Sequence, residues 1–252
     1  MHIIKNDYYY LAFNKIIANK IINNLKEKKL CVIDFEAFQL YKSKKALYSH
    51  ININDIPYTV CLNVIEYNEQ IKEFVSSNEV VYQFKDDWRN EKELLLKLEE
   101  MAIFIANHIK SYKIDTFLFM SKFLEVSVLN FFVDKFTSIK ELNKYLLIDT
   151  YDLYDFFYDS KTFNVLSYKY KPSDIIKSFM EKFGDEYSNE QIGKDGMKHF
   201  DKITSGKSSN ILNFDKVIDH SYNDLKKCVA LINYLNLLAN WPDDKILNKD
   251  FL

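Results

Sequence analysis

From residue 90 to residue 150 the chain repeats one grammar: helix, strand, helix, strand. Residues 90–112 (NEKELLLKLEEMAIFIANHIKSY) read as the clearest helix. Asn90 can cap it, acids occupy its early turns, and apolar side chains recur at spacings of three and four. TFLFM (116–120) reads as a strand, SKFLEVSVLNFFVDKF (121–136) as a helix and KYLLIDT (144–150) as a strand. Helices that serve as crossovers between strands predict parallel pairing in an α/β sheet. Upstream, LCVIDF (30–35), PYTVCLNVIE (57–66) and EVVYQF (79–84) read as three successive strands, with a polar, turn-like YNEQIKEFVSSN between the last two. Three strands in a row predict an antiparallel meander. The expected fold is therefore α/β: a mixed five-stranded sheet, meander first and parallel strands after, flanked by helices.

Outside this frame, residues 8–28 have apolar side chains at helical spacing and predict an amphipathic helix, so that 1–29 forms a helical extension. Residues 173–183 predict a short helix and 215–240 a long final one. Residues 184–210 look least regular; the stretch GKDGMKHFDKITSGKSS holds three of the four glycines. No linker or repeat divides the chain. One domain over 30–240 and a tail over 241–252 is the economical division.

The net charge of −2 over 252 residues provides no global basic field. A nucleic-acid partner would have to be gripped locally or through metal ions. Cys31, Cys61 and Cys228 form an odd set without CxxC spacing and read as reduced, buried thiols of a cytoplasmic protein. No run of about 18 apolar residues would span a membrane. The first residues lack the apolar core and small-residue cleavage site of a signal peptide.

The run DFE (34–36) carries the chemistry. On a strand, Asp34 and Glu36 point to one face and Phe35 to the other. Apposed carboxylates repel and lose hydration unless a cation sits between them. Hard oxygen donors favour Mg²⁺ or Mn²⁺. The alternative is plain solvation at a strand end. Two further features favour metal: Glu125 lies in the first turns of a helix, and His220 and Asp224 lie four apart on another, sharing a face. Together these could complete a site for two ions.

In that order the residues resemble the DEDD 3′–5′ exonuclease superfamily, which has a ribonuclease H-like fold. Its DxE motif is matched by Asp34 and Glu36. Its NxxFDxxxL motif is matched in spacing by SKFLEVSVL, with Ser121, Leu124, Glu125 and Leu129 in the four positions. LIDTYDLY (147–154) is similar to the strand that usually follows. The third motif is YxxxD or HxxxxD, and here His220 stands in the Tyr place at Tyr-branch spacing from Asp224. The chain most resembles a bacterial family of DEDD-type domains of unknown function, through DIPYTV (55–60), FLE (123–125) and YSNEQIGKDGM (187–197). The likeness runs over residues 30–240. Glu125 is one methylene longer than the superfamily's usual Asp, although the closer family uses Glu.

The resemblance implies a metal-dependent 3′–5′ exonuclease acting on ends of single-stranded RNA or DNA. Asp34, Glu36, Glu125 and Asp224 would bind two Mg²⁺ or Mn²⁺ ions. His220, favoured over Tyr222, would activate water. Phe38 could stack on a base, as residues after the first motif line the family's nucleotide pocket. Lys194, with Lys198, Lys202 and Lys207, would form a basic loop that touches phosphate or closes over substrate. The alternative is a non-catalytic nucleic-acid or protein-binding module on a degenerate site. His50, His108 and His199 read as surface or satisfied histidines. Asp149, Asp152 and Asp155 read as a charged strand exit, and the YYY run at 8–10 as core or packing. GxGxxG and GxxxxGK[ST] are absent, so no nucleotide fold of those types is expected. Protein partners are not legible.

Overall fold

The computed structural model describes residues 1–5, 9–39, 48, 50, 51, 53–85, 88, 90–184 and 186–243. The chain opens with two short strands, β1 (His2–Lys5) and β2 (Tyr10–Phe13), followed by helix α1 (Lys15–Lys26). This corrects the single helix expected over 8–28, of which residue 8 lies outside the described residues. The helix starts only at Lys15, where the Asn14 side chain accepts from the Ile17 N–H. Tyr10–Phe13 is extended because it pairs with a strand some 150 residues away, a partner that no local pattern announces.

Next come β3 (Leu30–Gln39), β4 (Asp55–Asn68) and β5 (Glu73–Gln83). They form the expected antiparallel meander. The turn between β4 and β5 is far shorter than expected: EFVSSN belongs to β5, which pairs from Glu73 onward. Helix α2 (Glu91–Tyr112) is capped by Asn90 as expected. Strand β6 (Thr116–Phe119) leads to α3 (Phe123–Lys135). The strand expected over 144–150 is displaced. Residues up to Leu146 form helix α4 (Lys140–Leu146), and the strand is β7 (Asp149–Asp152). β7 lies parallel to β6 with Thr116 opposite Asp149, and that register decides where the strand starts.

The five-stranded sheet has the order β5-β4-β3-β6-β7, antiparallel on one side of β3 and parallel on the other. A four-residue helix, α5 (Tyr154–Phe157), leads to β8 (Phe163–Leu166), which joins β2 and β1 in a second, three-stranded antiparallel sheet. The amino-terminal segment is thus built into the main body. Helix α6 (Pro172–Met180) follows as expected. Residues 184–210 are not an irregular loop. They contain a sixteen-residue helix, α7 (Asn189–Thr204), capped by the Ser188 hydroxyl, with Ile192, Gly196, His199 and Phe200 on its buried face. The last helix is α8 (Phe214–Ala239).

Alternation along β3 positions the site. Cys31, Ile33 and Phe35 belong to the core on the α2 and α3 face of the sheet, where Phe35 meets Phe132 edge-on. Leu30 and Val32 belong to the core beneath α8. Asp34 and Glu36 continue that second row, so the carboxylates face α8. A β-bulge between Glu36 and Ala37 shifts the register with β4 immediately after the second acid. Bulges re-aim side chains and end regular pairing. Among the described residues, no helix is long and apolar enough to cross a membrane. All three cysteines are free and buried, as expected.

Candidate functional site

A cavity of about 280 Å³ opens where β3, the start of α3, α5 and α8 converge. Asp34, Glu36, Glu125 and Asp224 all line it, together with Tyr154 and Asn189. The four acids come from three elements separated by up to 190 residues (34 to 224). Each is placed by its element: two by strand alternation, one by the first turn of α3, one by the sheet-facing side of α8. Asp152 helps fix α3, because its Oδ2 accepts from the Lys122 N–H at 3.1 Å and its Oδ1 from the Tyr154 N–H at 2.9 Å. Both of its oxygens are engaged in holding backbone.

His220 is 2% exposed and is not among the residues that line the cavity. Its Nε2 is 2.5 Å from Asn189 Oδ1, 3.6 Å from Asp224 Oδ2 and 3.7 Å from Glu36 Oε1. Facing three oxygens, Nε2 carries a proton in this arrangement. Asp224 turns its other oxygen to Lys227, with Oδ1 2.7 Å from Nζ. Tyr222 lies on a different side of α8 and does not line the cavity. Burial, and then the charges near Cys61 and Glu79, raise the pKa of its hydroxyl.

The site is rich in negative charge. Burial, then the charges of Glu36, Asp224 and Glu125, push the Asp34 carboxyl well above the usual carboxylate range; the nearby Ser221 hydroxyl works the other way. Glu125 is raised to about 7, chiefly by burial and further by Asp152 and Asp224, against a hydrogen bond from its own backbone. Burial and neighbouring charge lift Tyr154 to about 12, so it remains a neutral donor. Asp34 Oδ2 and Glu125 Oε2 are closed off from solvent without a hydrogen-bond partner.

These observations fit a divalent cation. The donors are hard oxygens, two of them are buried and bare, and their mutual repulsion is what a cation relieves. Among the described residues, no three His, Cys, Asp or Glu side chains already form a finished ligand group.

Two expected contacts are not brought to the cavity. Phe38 is fully buried, stacked on Tyr58 with ring centroids 4.2 Å apart and flanked by His199 and Phe200. It is core, because the bulge after Glu36 sends its ring toward α7 and away from the cavity. Lys194 is on the outer face of α7, paired with Glu190 one turn earlier. Lys198 and Lys202 also belong to this helix, so a basic loop does not form there. His199 is buried against Phe214, His108 is buried on α2, and His50 is exposed. Asp149 and Asp155 are exposed and pair with Lys28 and Lys122.

Sequence reasoning missed Asn189, Lys227 and Tyr154. Asn189 follows the capping Ser188, and Ser-Asn-Glu-Gln before Ile192 is a helix-start signal that could have found α7. Lys227, three residues after Asp224, was readable as a same-face partner. No protein-family model matches the chain, and no curated protein matches it.

Proposed function

We propose that this chain is a metal-dependent 3′–5′ exonuclease of ribonuclease H-like fold that hydrolyses terminal phosphodiester bonds of single-stranded RNA or DNA in the cytoplasm. The observation that carries this is the convergence of Asp34, Glu36, Glu125 and Asp224 on one cavity, with buried oxygens of Asp34 and Glu125 bare. The sheet order supports it, with the first strand of the meander at the centre and carrying both motif acids.

The four acids would hold Mg²⁺ or Mn²⁺, two ions by the resemblance, and such ions polarise a phosphate oxygen and acidify water. Tyr154, kept neutral, can donate a hydrogen bond to a phosphate oxygen at the cavity wall. The cavity of about 280 Å³ is at the small end of ligand sites, which favours a strand end over a long tract of nucleic acid. His220 braces Glu36 and Asp224 through its Nε2–H; to take a proton from water, that nitrogen would first have to give up its own proton and its contact with Asn189.

The test is hydrolysis of 3′- and 5′-labelled single-stranded RNA and DNA in Mn²⁺, beside the Asp34→Ala, Glu36→Ala double variant. Products shortened from the 3′ end by the wild type alone support the reading. Binding of the oligonucleotide without hydrolysis by either protein would turn the reading into a non-catalytic module.

A further inference from the structure

One acid of the candidate site is already paired with a buried cation. Lys227 is 8% exposed, and its Nζ lies 2.7 Å from Asp224 Oδ1. Lysine is almost never buried this far without a paired charge. Its position three residues after Asp224 places both side chains on one face of α8.

This pairing divides the four carboxylates. Asp224 is already matched by a positive charge on one oxygen, and its other oxygen faces His220. On the opposite wall, Asp34 Oδ2 and Glu125 Oε2 are buried with no hydrogen-bond partner, and Glu125 is 8% exposed. A bare buried carboxylate oxygen is costly, so unmet demand for positive charge lies at Asp34 and Glu125, between β3 and α3. Two ions spaced about 3.5–4 Å apart would need Asp224 as a ligand of the second. Asp224 would then have to give up its 2.7 Å pairing with the Lys227 ammonium group.

We propose that Lys227 takes the place of the second cation, so that the site binds one divalent ion, on the Asp34 and Glu125 side, while Lys227 supplies fixed positive charge at Asp224. This rests on the metal-dependent reading above and changes it in one respect, the number of ions.

The experiment is calorimetric titration of MnCl₂ into the metal-stripped full-length chain. The wild type and Lys227→Arg should each take up one Mn²⁺. Lys227→Met should take up two, because Asp224 is released as a ligand. Asp34→Asn should lose the event seen in the wild type. Two Mn²⁺ in the wild type would overturn this inference and leave the metal-dependent reading standing. No uptake by the wild type would overturn both. One Mn²⁺ in both the wild type and a folded Lys227→Met, or an event that survives Asp34→Asn, would overturn the inference alone. If Lys227→Met does not fold by circular dichroism, the wild-type and Lys227→Arg stoichiometries still decide between one ion and two.

Discussion

His220 Nε2 lies 2.5 Å from Asn189 Oδ1, so a buried histidine of the last helix is held by the first residue of the helix before it. The contact links α7, a segment whose glycine-rich local sequence looks least regular, to the acids of the candidate site. Asn189→Ala would leave Nε2 facing Glu36 and Asp224 at 3.7 and 3.6 Å, without its shortest contact. Loss of a buried hydrogen-bond partner costs about 1–3 kcal/mol, which urea unfolding should report. Nuclease activity should fall in the same direction as in His220→Ala, because the brace on Glu36 and Asp224 loses its anchor. Unchanged stability and rate would remove Asn189 from the site.

Metal should stabilise the folded chain. With free Mn²⁺ at a hundred times its Kd, the stabilisation is about 2.7 kcal/mol, seen as a rise in Tm. The Asp34→Ala, Glu36→Ala variant should show none. An equal rise in both proteins would place the ion elsewhere.

Glu125 makes the metal-free protein sensitive to pH. Its carboxyl is raised from an ordinary 4.5 to about 7 in the fold. A raised carboxyl pKa means the folded state holds the proton more tightly than the unfolded state. Its stabilising contribution is therefore complete below about 4.5 and is lost as pH rises through about 7. Asp34, also raised, acts in the same direction. Glu125→Gln should remain more stable than wild type at pH 8 in EDTA, by on the order of 3 kcal/mol. Denaturation curves at pH 5 and pH 8 measure the difference. Equal pH dependence in the two proteins would refute the assignment.

Phe38 and Lys194 should behave as structural residues. Phe38→Ala removes a buried ring from a stacked cluster and should cost about 3–5 kcal/mol of stability. Lys194→Ala removes an exposed helical ion pair and should change stability by less than about 0.5 kcal/mol, with substrate affinity unaltered. A selective loss of oligonucleotide binding in Phe38→Ala, with stability intact, would contradict the buried placement.

Gly196 is helical, and a Cβ there would meet Phe38 Cδ1 at 3.7 Å, an ordinary contact. Gly196→Ala should stabilise by up to about 1 kcal/mol through helix propensity. A loss of stability in thermal melting would show that α7 approaches β3 more closely than this.

The sequence by itself determined the elements whose signals are local. Asn90 and the spacing in 91–112 mark α2 because a helix closes its hydrogen bonds within itself and its caps lie next to it. The alternation in CVIDFE determined that Asp34 and Glu36 share a face, and the resemblance to the superfamily's later motifs pointed to Glu125 and Asp224. Tertiary structure decided what depends on distant partners. Tyr10–Phe13 is a strand because β8 pairs with it, and the register with β6 moved β7 past Leu147. The bulge after Glu36 sent Phe38 into the core, and the packing of α7 beside α8 set His220 against Asn189. Strand pairing and burial join residues far apart in the chain, and a local pattern carries no record of which partner will arrive.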